Sequence, residues 1–307
     1  SSSSSSSSTS SSTISFTPTT KTPNPNNPNF RLSKETYQFW QSYCDEHVLP
    51  LQILDQFTFK VPVDKIIENS QRIACPQCNR KSVVYCAHCQ CTVPLKDPTL
   101  HLPVLETLPI QVDLVHTKEE KLTKSTGLYA KVACPSAVRM FTYPEQVPDY
   151  PDDGSTVLLY PCDDAVFLEE IDDLESIKRI VVVESTWAKS KNVPFHPKLK
   201  HLKPIKLKDY QTLFWRHQEL SSQYLSTIEA IYYALVEFVK AKHPQQEEKA
   251  VREKYMLDEL MCLYLWKFTV ISQRQTLPPK SWNPTRRVSY DQQQKKIQKQ
   301  KKMKSKK

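Results

Sequence analysis

Two glycines in 307 residues, Gly127 and Gly154, constrain this chain more tightly than any other feature. The Walker A loop and the G-x-G-x-x-G turn need several closely spaced glycines, because backbone N–H groups must approach a phosphate without side chains in the way. Glycines this far apart exclude both. P-loop NTPase, kinase and GxGxxG-type Rossmann chemistry go with them, and a cofactor would have to be held by strand ends instead. Gly127 on its own reads as a turn residue needing positive φ.

Charge divides the chain unevenly. The formal net charge is +9 from 42 Lys+Arg and 33 Asp+Glu. Residues 280–307 hold 11 of the basic residues and one acid, Asp291, which leaves the other residues with 31 basic against 32 acidic. The basic excess is therefore a tail on a near-neutral body. Its eight lysines from Lys295 onward can bind phosphate backbones without reading bases, and they also suit a nuclear address. At the other end, residues 1–29 are rich in Ser, Thr, Asn and Pro with no acid, and are read as disordered. The chain begins at Ser1 rather than Met, which reads as a truncation. No charged segment followed by an apolar one opens it, and no apolar run reaches the roughly 18–20 residues that span a membrane.

Nine cysteines is an odd number, and five of them crowd into residues 75–91. Cys75-Pro-Gln-Cys78 and Cys86-Ala-His-Cys89 form C-x2-C-x7-C-x2-C. Two such knuckles bring four thiolates onto one tetrahedral zinc ion, a closed site that is structural because it leaves no position for water. Cys91 and His88 are spare ligands by position. Cys44, Cys134, Cys162 and Cys262 have no partner at motif spacing and read as buried thiols.

Patterning outlines the rest. Helical spacing occurs in Tyr37–Tyr43 and around Leu51–Phe59, giving a helical segment over 30–70. From 104 to 207, short apolar runs alternate with polar turns: Ile110–His116, Tyr129–Ala133, Arg139–Tyr143, Val157–Tyr160, Val166–Leu168 and Arg179–Val183. Ile180–Val183 is a continuous β-branched run, as expected of a strand buried on both faces of a parallel sheet. A helix follows from near Ser226 to Lys240–Lys242 before Pro244, and a second runs from about Glu247 to Ser272. The divisions are 1–29, 30–70, a zinc ribbon at 71–95, an α/β body at 96–275 and a basic arm at 276–307.

At the end of the β-branched run stands Glu184-Ser185-Thr186-Trp187, with a carboxylate, two hydroxyls and an indole where open α/β sheets bind ligands. An acid and a Trp closing a strand also fit a turn with a core anchor. Further motifs accompany it in order: His116-Thr117-Lys118-Glu119, Lys124-Ser125-Thr126-Gly127, Leu158-Leu159-Tyr160-Pro161, Phe214-Trp215-Arg216 and Leu225-Ser226-Thr227-Ile228-Glu229-Ala230. Together with the paired knuckles, these resemble the DTW-domain family of tRNA-uridine aminocarboxypropyltransferases over about residues 70–275. Phe-Trp-Arg and Glu229-Ala-Ile-Tyr-Tyr are similar to its type-1 eukaryotic members. The family's aspartate is Glu184 here, which keeps the carboxylate but carries it one methylene further out.

The resemblance implies a SPOUT-like, knotted, mostly parallel sheet with a zinc ribbon before it and helices after it. It implies S-adenosylmethionine as donor of a 3-amino-3-carboxypropyl group to N3 of a tRNA uridine, in the D-loop, with release of 5'-methylthioadenosine. On that reading Glu184 is the base for the N3 proton and Trp187 stacks on the cofactor or the base. The cofactor is held by Ser125, Thr126, Gly127, Leu159, Tyr160, Pro161, Thr186, Arg216, Ser226 and Thr227. Bland readings stand beside these: Ser226-x-x-Glu229 also fits a capping box, His116 an ordinary core residue, and Arg216 a stacking partner among aromatics. The alternative function is a non-catalytic zinc-ribbon RNA-binding protein on the same fold. A monomer in the nucleus, or nucleus and cytoplasm, that binds tRNA and no membrane completes the expectation.

Overall fold

The computed structural model describes residues 38–42, 57–118, 120–185, 192–214 and 225–276. Its centre is a six-stranded sheet formed by β5 (Gln111–Thr117), β6 (Val138–Tyr143), β7 (Thr156–Leu159), β8 (Val166–Phe167), β9 (Arg179–Glu184) and β10 (Lys203–Lys206), in the order β6-β5-β9-β7-β10-β8. Every pairing is parallel. Ahead of it lie two small antiparallel hairpins, β1 (Ile73–Ala74) with β2 (Lys81–Ser82) and β3 (Tyr85–Cys86) with β4 (Cys91–Thr92).

Side chains alternate across a strand, so the apolar runs feed two cores. Val112, Leu114, Ile180 and Val182 join the main core, where α1 (Val63–Asn69), α2 (Gly127–Ala133), α3 (Thr227–Lys242) and α5 (Cys262–Thr276) pack. Val115 and Val181 turn the other way, onto Val147, Tyr150, Val193, Leu199 and Leu202. The strand with Ile180–Val183 is thus covered on both faces, as its β-branched composition requires.

Asp113 also faces the second core, fully buried. It accepts from Arg139 Nε and Nη2 at 2.9 and 2.7 Å, from Arg179 Nη1 at 2.8 Å and from the Tyr150 hydroxyl at 2.9 Å. Four charge-assisted or hydroxyl bonds offset its desolvation. They tie β5, β6 and β9 together beneath the site.

Five sequence expectations change, the first at Cys162, which reads as a buried thiol and is exposed. The run Tyr129–Ala133 is not a strand but most of α2; five apolar residues fit two helical turns as well as a strand. β10 was not anticipated. The second long helix is interrupted: α4 (Glu248–Lys254) ends, Met256 adopts a left-handed φ of 50°, and a 3-10 stretch at Leu257–Met261 precedes α5. The break turns Asp258 and Glu259 inward, where Asp258 accepts from Thr58 N, Tyr232 Oη and Arg252 Nη1 and Glu259 accepts from Lys60 N. Of the stretch around Leu51–Phe59, residues 57–59 are described and are not helical, whereas 38–42 are. Residues 1–29 and 277–307 lie outside the described residues.

Candidate functional site

The register of the sheet sets the site. His116, at the end of β5, is level with Glu184 at the end of β9. Leu159, the last residue of β7, is level with Val182, so Tyr160 and Pro161 continue along the same carboxyl edge. β9 enters late in the chain and inserts between β5 and β7. That central edge is where parallel α/β sheets gather ligands.

Glu184 organises the edge. Its Oε2 accepts the Gly127 N–H at 2.9 Å, and the hydroxyls of Thr227 and Ser125 lie near enough to favour its charged form. Burial, the dominant effect at 5% exposure, pushes its pKa up, and those three donors pull against it. Ser125 Oγ in turn accepts the Leu128 N–H at 3.1 Å, which satisfies an otherwise orphaned donor in the first turn of α2. The motifs around Ser125, Glu184 and Thr227, dispersed over a hundred residues of sequence, therefore meet at one carboxylate.

Gly127 serves close approach, not φ. Its φ is not positive; among the described glycines only Gly154 has that, at 76°. A Cβ at position 127 would lie 2.3 Å from Glu184 Oε2 and 3.1 Å from Thr227 Cγ2. The turn expected from the sequence is replaced by a helix start with a carboxylate in the space of the missing side chain.

Beside it, Thr117 Oγ1 donates to Ser185 Oγ at 3.0 Å, joining β5 and β9 one residue beyond Glu184. Thr126 is buried at the N-cap of α2. Ser226 caps α3: Glu229 Oε2 reaches back to Ser226 N and Oγ, both at 2.7 Å. The same Glu229 accepts from Thr212 Oγ1 at 2.7 Å and Leu213 N at 2.8 Å, so it fastens the preceding strand exit to the helix. Burial raises its pKa, opposed by these donors. Ser226 is thus occupied as a cap, as its capping-box spacing allowed. Thr186, Trp187 and Arg216 lie outside the described residues. Sequence reading missed Asp113, whose signal was a lone acid inside the apolar run Ile110–His116.

The four knuckle thiols converge as their spacing requires. Cys75, Cys78, Cys86 and Cys89 have Sγ atoms all within 4.8 Å of one another, and Cys78 Sγ is 3.5 Å from Cys86 Sγ. A tetrahedral zinc with Zn–S near 2.3 Å puts its sulfurs about 3.8 Å apart, so the cluster fits a metal ion. Asn79 and Gln90, each directly after the second cysteine of a knuckle, have positive φ of 60° and 55°. Both knuckles close by the same left-handed step. Cys91 pairs with Cys86 across β3–β4 and stands outside the four-thiol set. No helix among the described residues is long and apolar enough to cross a membrane.

Comparison with known proteins agrees with the resemblance read from the motifs. The family model described as DTW domain matches residues 72–260. A protein of Rattus norvegicus called tRNA-uridine aminocarboxypropyltransferase 1 is 29% identical over 249 residues, covering 67% of this chain and 79% of that one. Proteins of the same name from Xenopus tropicalis and Homo sapiens are 27% and 26% identical, covering 69% and 66% of this chain and 85% and 78% of theirs. Among solved structures, the SAM-dependent rRNA:acp-transferase Tsr3 from Vulcanisaeta distributa aligns with a TM-score of 0.34 at 18% identity, over 54% of this chain and 80% of that one.

Proposed function

The chain belongs to the DTW-domain family, and from that premise we propose that it is an S-adenosylmethionine-dependent tRNA-uridine aminocarboxypropyltransferase. It transfers the 3-amino-3-carboxypropyl group to N3 of a uridine in the D-loop of tRNA. The observation that supports the site is the meeting of Ser125, Gly127 and Thr227 on the Glu184 carboxylate at the carboxyl edge of β9. N3 attacks the methionine Cγ, the C–S bond breaks, and its electron pair leaves on sulfur, which becomes the neutral thioether of 5'-methylthioadenosine. The N3 proton passes to water.

Glu184 takes a positioning role in this proposal, in place of the base expected from sequence. A carboxylate 5% exposed, bonded to a backbone N–H and flanked by two hydroxyls, holds three turns in register. It has little free surface with which to meet an incoming uridine. Those turns, with Leu159, Tyr160 and Pro161 beside them, form the cofactor cradle. Trp187 is assigned to stacking, and Arg216 and Thr186 to the cofactor's polar ends.

Finer assignments accompany the reading. Cys75, Cys78, Cys86 and Cys89 hold a structural Zn2+, the strands thread a SPOUT-like knot, and the chain acts as a monomer. Residues 71–95 form the ribbon and 96–275 the catalytic domain. The lysine tail directs the protein to the nucleus.

The test mixes protein, S-adenosylmethionine and unmodified tRNA, then follows methylthioadenosine release and the mass of the tRNA nucleosides. Product absent at full cofactor binding would replace the proposal with the non-catalytic RNA-binding reading. Glu184→Gln separates the two roles of the carboxylate. Positioning predicts weaker cofactor binding together with lost turnover; a base predicts lost turnover at unchanged cofactor binding.

A further inference from the structure

Phe195 is 75% exposed, and with Val104 it makes up the large exposed apolar side chains among the described residues. It sits in the connection from β9 to β10, which packs on the sheet face opposite the helices through Val193, Leu199 and Leu202. The next residue, His196, sets its ring edge-on against Tyr143, with centroids 5.4 Å apart. Tyr143 ends β6 level with Thr117, one step beyond Glu184 and two strands away. At the usual spacing of neighbouring strands that is about 10 Å from the Glu184–Ser185 end. An exposed aromatic therefore flanks the carboxyl edge, on the face that α2 and α3 leave open.

Charge singles out the partner. Residues 192–208 carry five lysines and two histidines and no acid. Lys198 faces Asp149, Lys208 faces Glu169 and Lys206 lies over the Phe167 ring. Lys200 is exposed and forms no ion pair among the described residues; Lys203, level with Val157, turns to the helix side. Arg139 and Arg179 share the single carboxylate of Asp113, which leaves that cluster with one net positive charge on the same face. A ring that presents a stacking surface, followed by a lysine with no ion pair and flanked by the net-positive Arg139–Arg179 cluster, is complementary to single-stranded nucleic acid: bases stack and phosphates pair. An aliphatic protein partner has no use for the cations.

We infer that Phe195 is a stacking platform for an unpaired base of the RNA substrate, with Lys200 on a phosphate that follows it. The inference rests on the tRNA reading above and adds the surface by which RNA reaches the carboxyl edge.

The test measures binding of the full chain to an unmodified tRNA transcript, and separately to S-adenosylmethionine. Phe195→Ala weakens tRNA binding about five-fold or more, since stacking contributes roughly 1–3 kcal/mol per base. Phe195→Trp restores the affinity, whereas Phe195→Leu, which keeps apolar bulk without a ring, does not. Lys200→Ala lowers the slope of log K against log salt by about 0.7. All four leave S-adenosylmethionine binding unchanged. Phe195→Ala binding tRNA within two-fold of the parent overturns the inference, as does Phe195→Leu binding as tightly as the parent. So does a polyglutamate peptide that loses binding in Phe195→Ala while tRNA does not. Failure of the tRNA-transferase reading has a different sign: the parent chain binds RNA through Phe195 yet releases no methylthioadenosine.

Discussion

Replacing Gly127 with alanine tests the junction on which the site depends. The added Cβ would lie 2.3 Å from Glu184 Oε2, where ordinary contact begins near 3.4 Å, so the carboxylate must withdraw by about 1 Å. A retreat of that size stretches the 2.9 Å bond from the Gly127 N–H past the limit at which it counts as one. A lost hydrogen bond to a charged acceptor costs about 1.5–3 kcal/mol, and overpacking a buried site about 1–3 kcal/mol more. Alanine's better helix propensity returns up to about 1 kcal/mol. The expected net loss is about 2–4 kcal/mol, read as a lower urea midpoint at constant m-value. Glu184→Asp in the same background pulls the carboxylate back by one methylene and makes room for the methyl group. The double variant should therefore recover about 1–2 kcal/mol of what Gly127→Ala loses, a coupling of the size that touching residues show. A loss below about 0.5 kcal/mol for Gly127→Ala, or strict additivity in the cycle, would refute the packing account of this glycine.

Three further outcomes are expected. Cys78→Ser leaves an incomplete thiolate set, so zinc per purified chain, measured by atomic emission, falls well below one and the ribbon loses protease resistance. Asp113→Ala leaves the buried Tyr150 hydroxyl without its acceptor and the partly exposed Arg139 and Arg179 without theirs; thermal unfolding should report a loss of about 1.5–3 kcal/mol. Glu229 has a folded pKa raised mainly by burial, so it holds its proton more tightly folded than unfolded, and its contribution to stability falls as pH rises from the ordinary glutamate range through that raised value. Denaturation midpoints of the parent and of Glu229→Gln between pH 4 and 8 should show the parent gaining on the variant as pH falls.

The strands were legible where burial leaves little choice. Ile180–Val183 is β-branched throughout because neither face of β9 meets water, and no other element accommodates such a run as well. β10 was illegible for the converse reason. Lys203-Pro204-Ile205-Lys206 has a proline that a central strand normally forbids, but β8 is only two residues long and begins pairing at Ile205, so Pro204 stands opposite β7 alone. The interruption at Met256 had no glycine or proline to announce it. Left-handed backbone at a methionine costs about 1 kcal/mol, and the buried bonds of Asp258 and Glu259 that it makes possible outweigh that cost.

At the site, sequence identified the participants and not their bonds. Spacing alone converges the four knuckle cysteines, because each C-x2-C is a local turn that needs little from the rest of the chain. Ser226-x-x-Glu229 was readable as a cap for the same reason, although nothing local says that Glu229 also secures Thr212 and Leu213. Glu184 is the opposite case. Its partners are 57 residues upstream at Gly127 and, at Thr227, well downstream, each at a helix start that the fold brings to the end of β9. A carboxylate at a strand end looks equally like a base and a brace until its donors are known. The missing Cβ of Gly127 favours the brace: the chain gives up a side chain there so that this carboxylate can lie against its backbone.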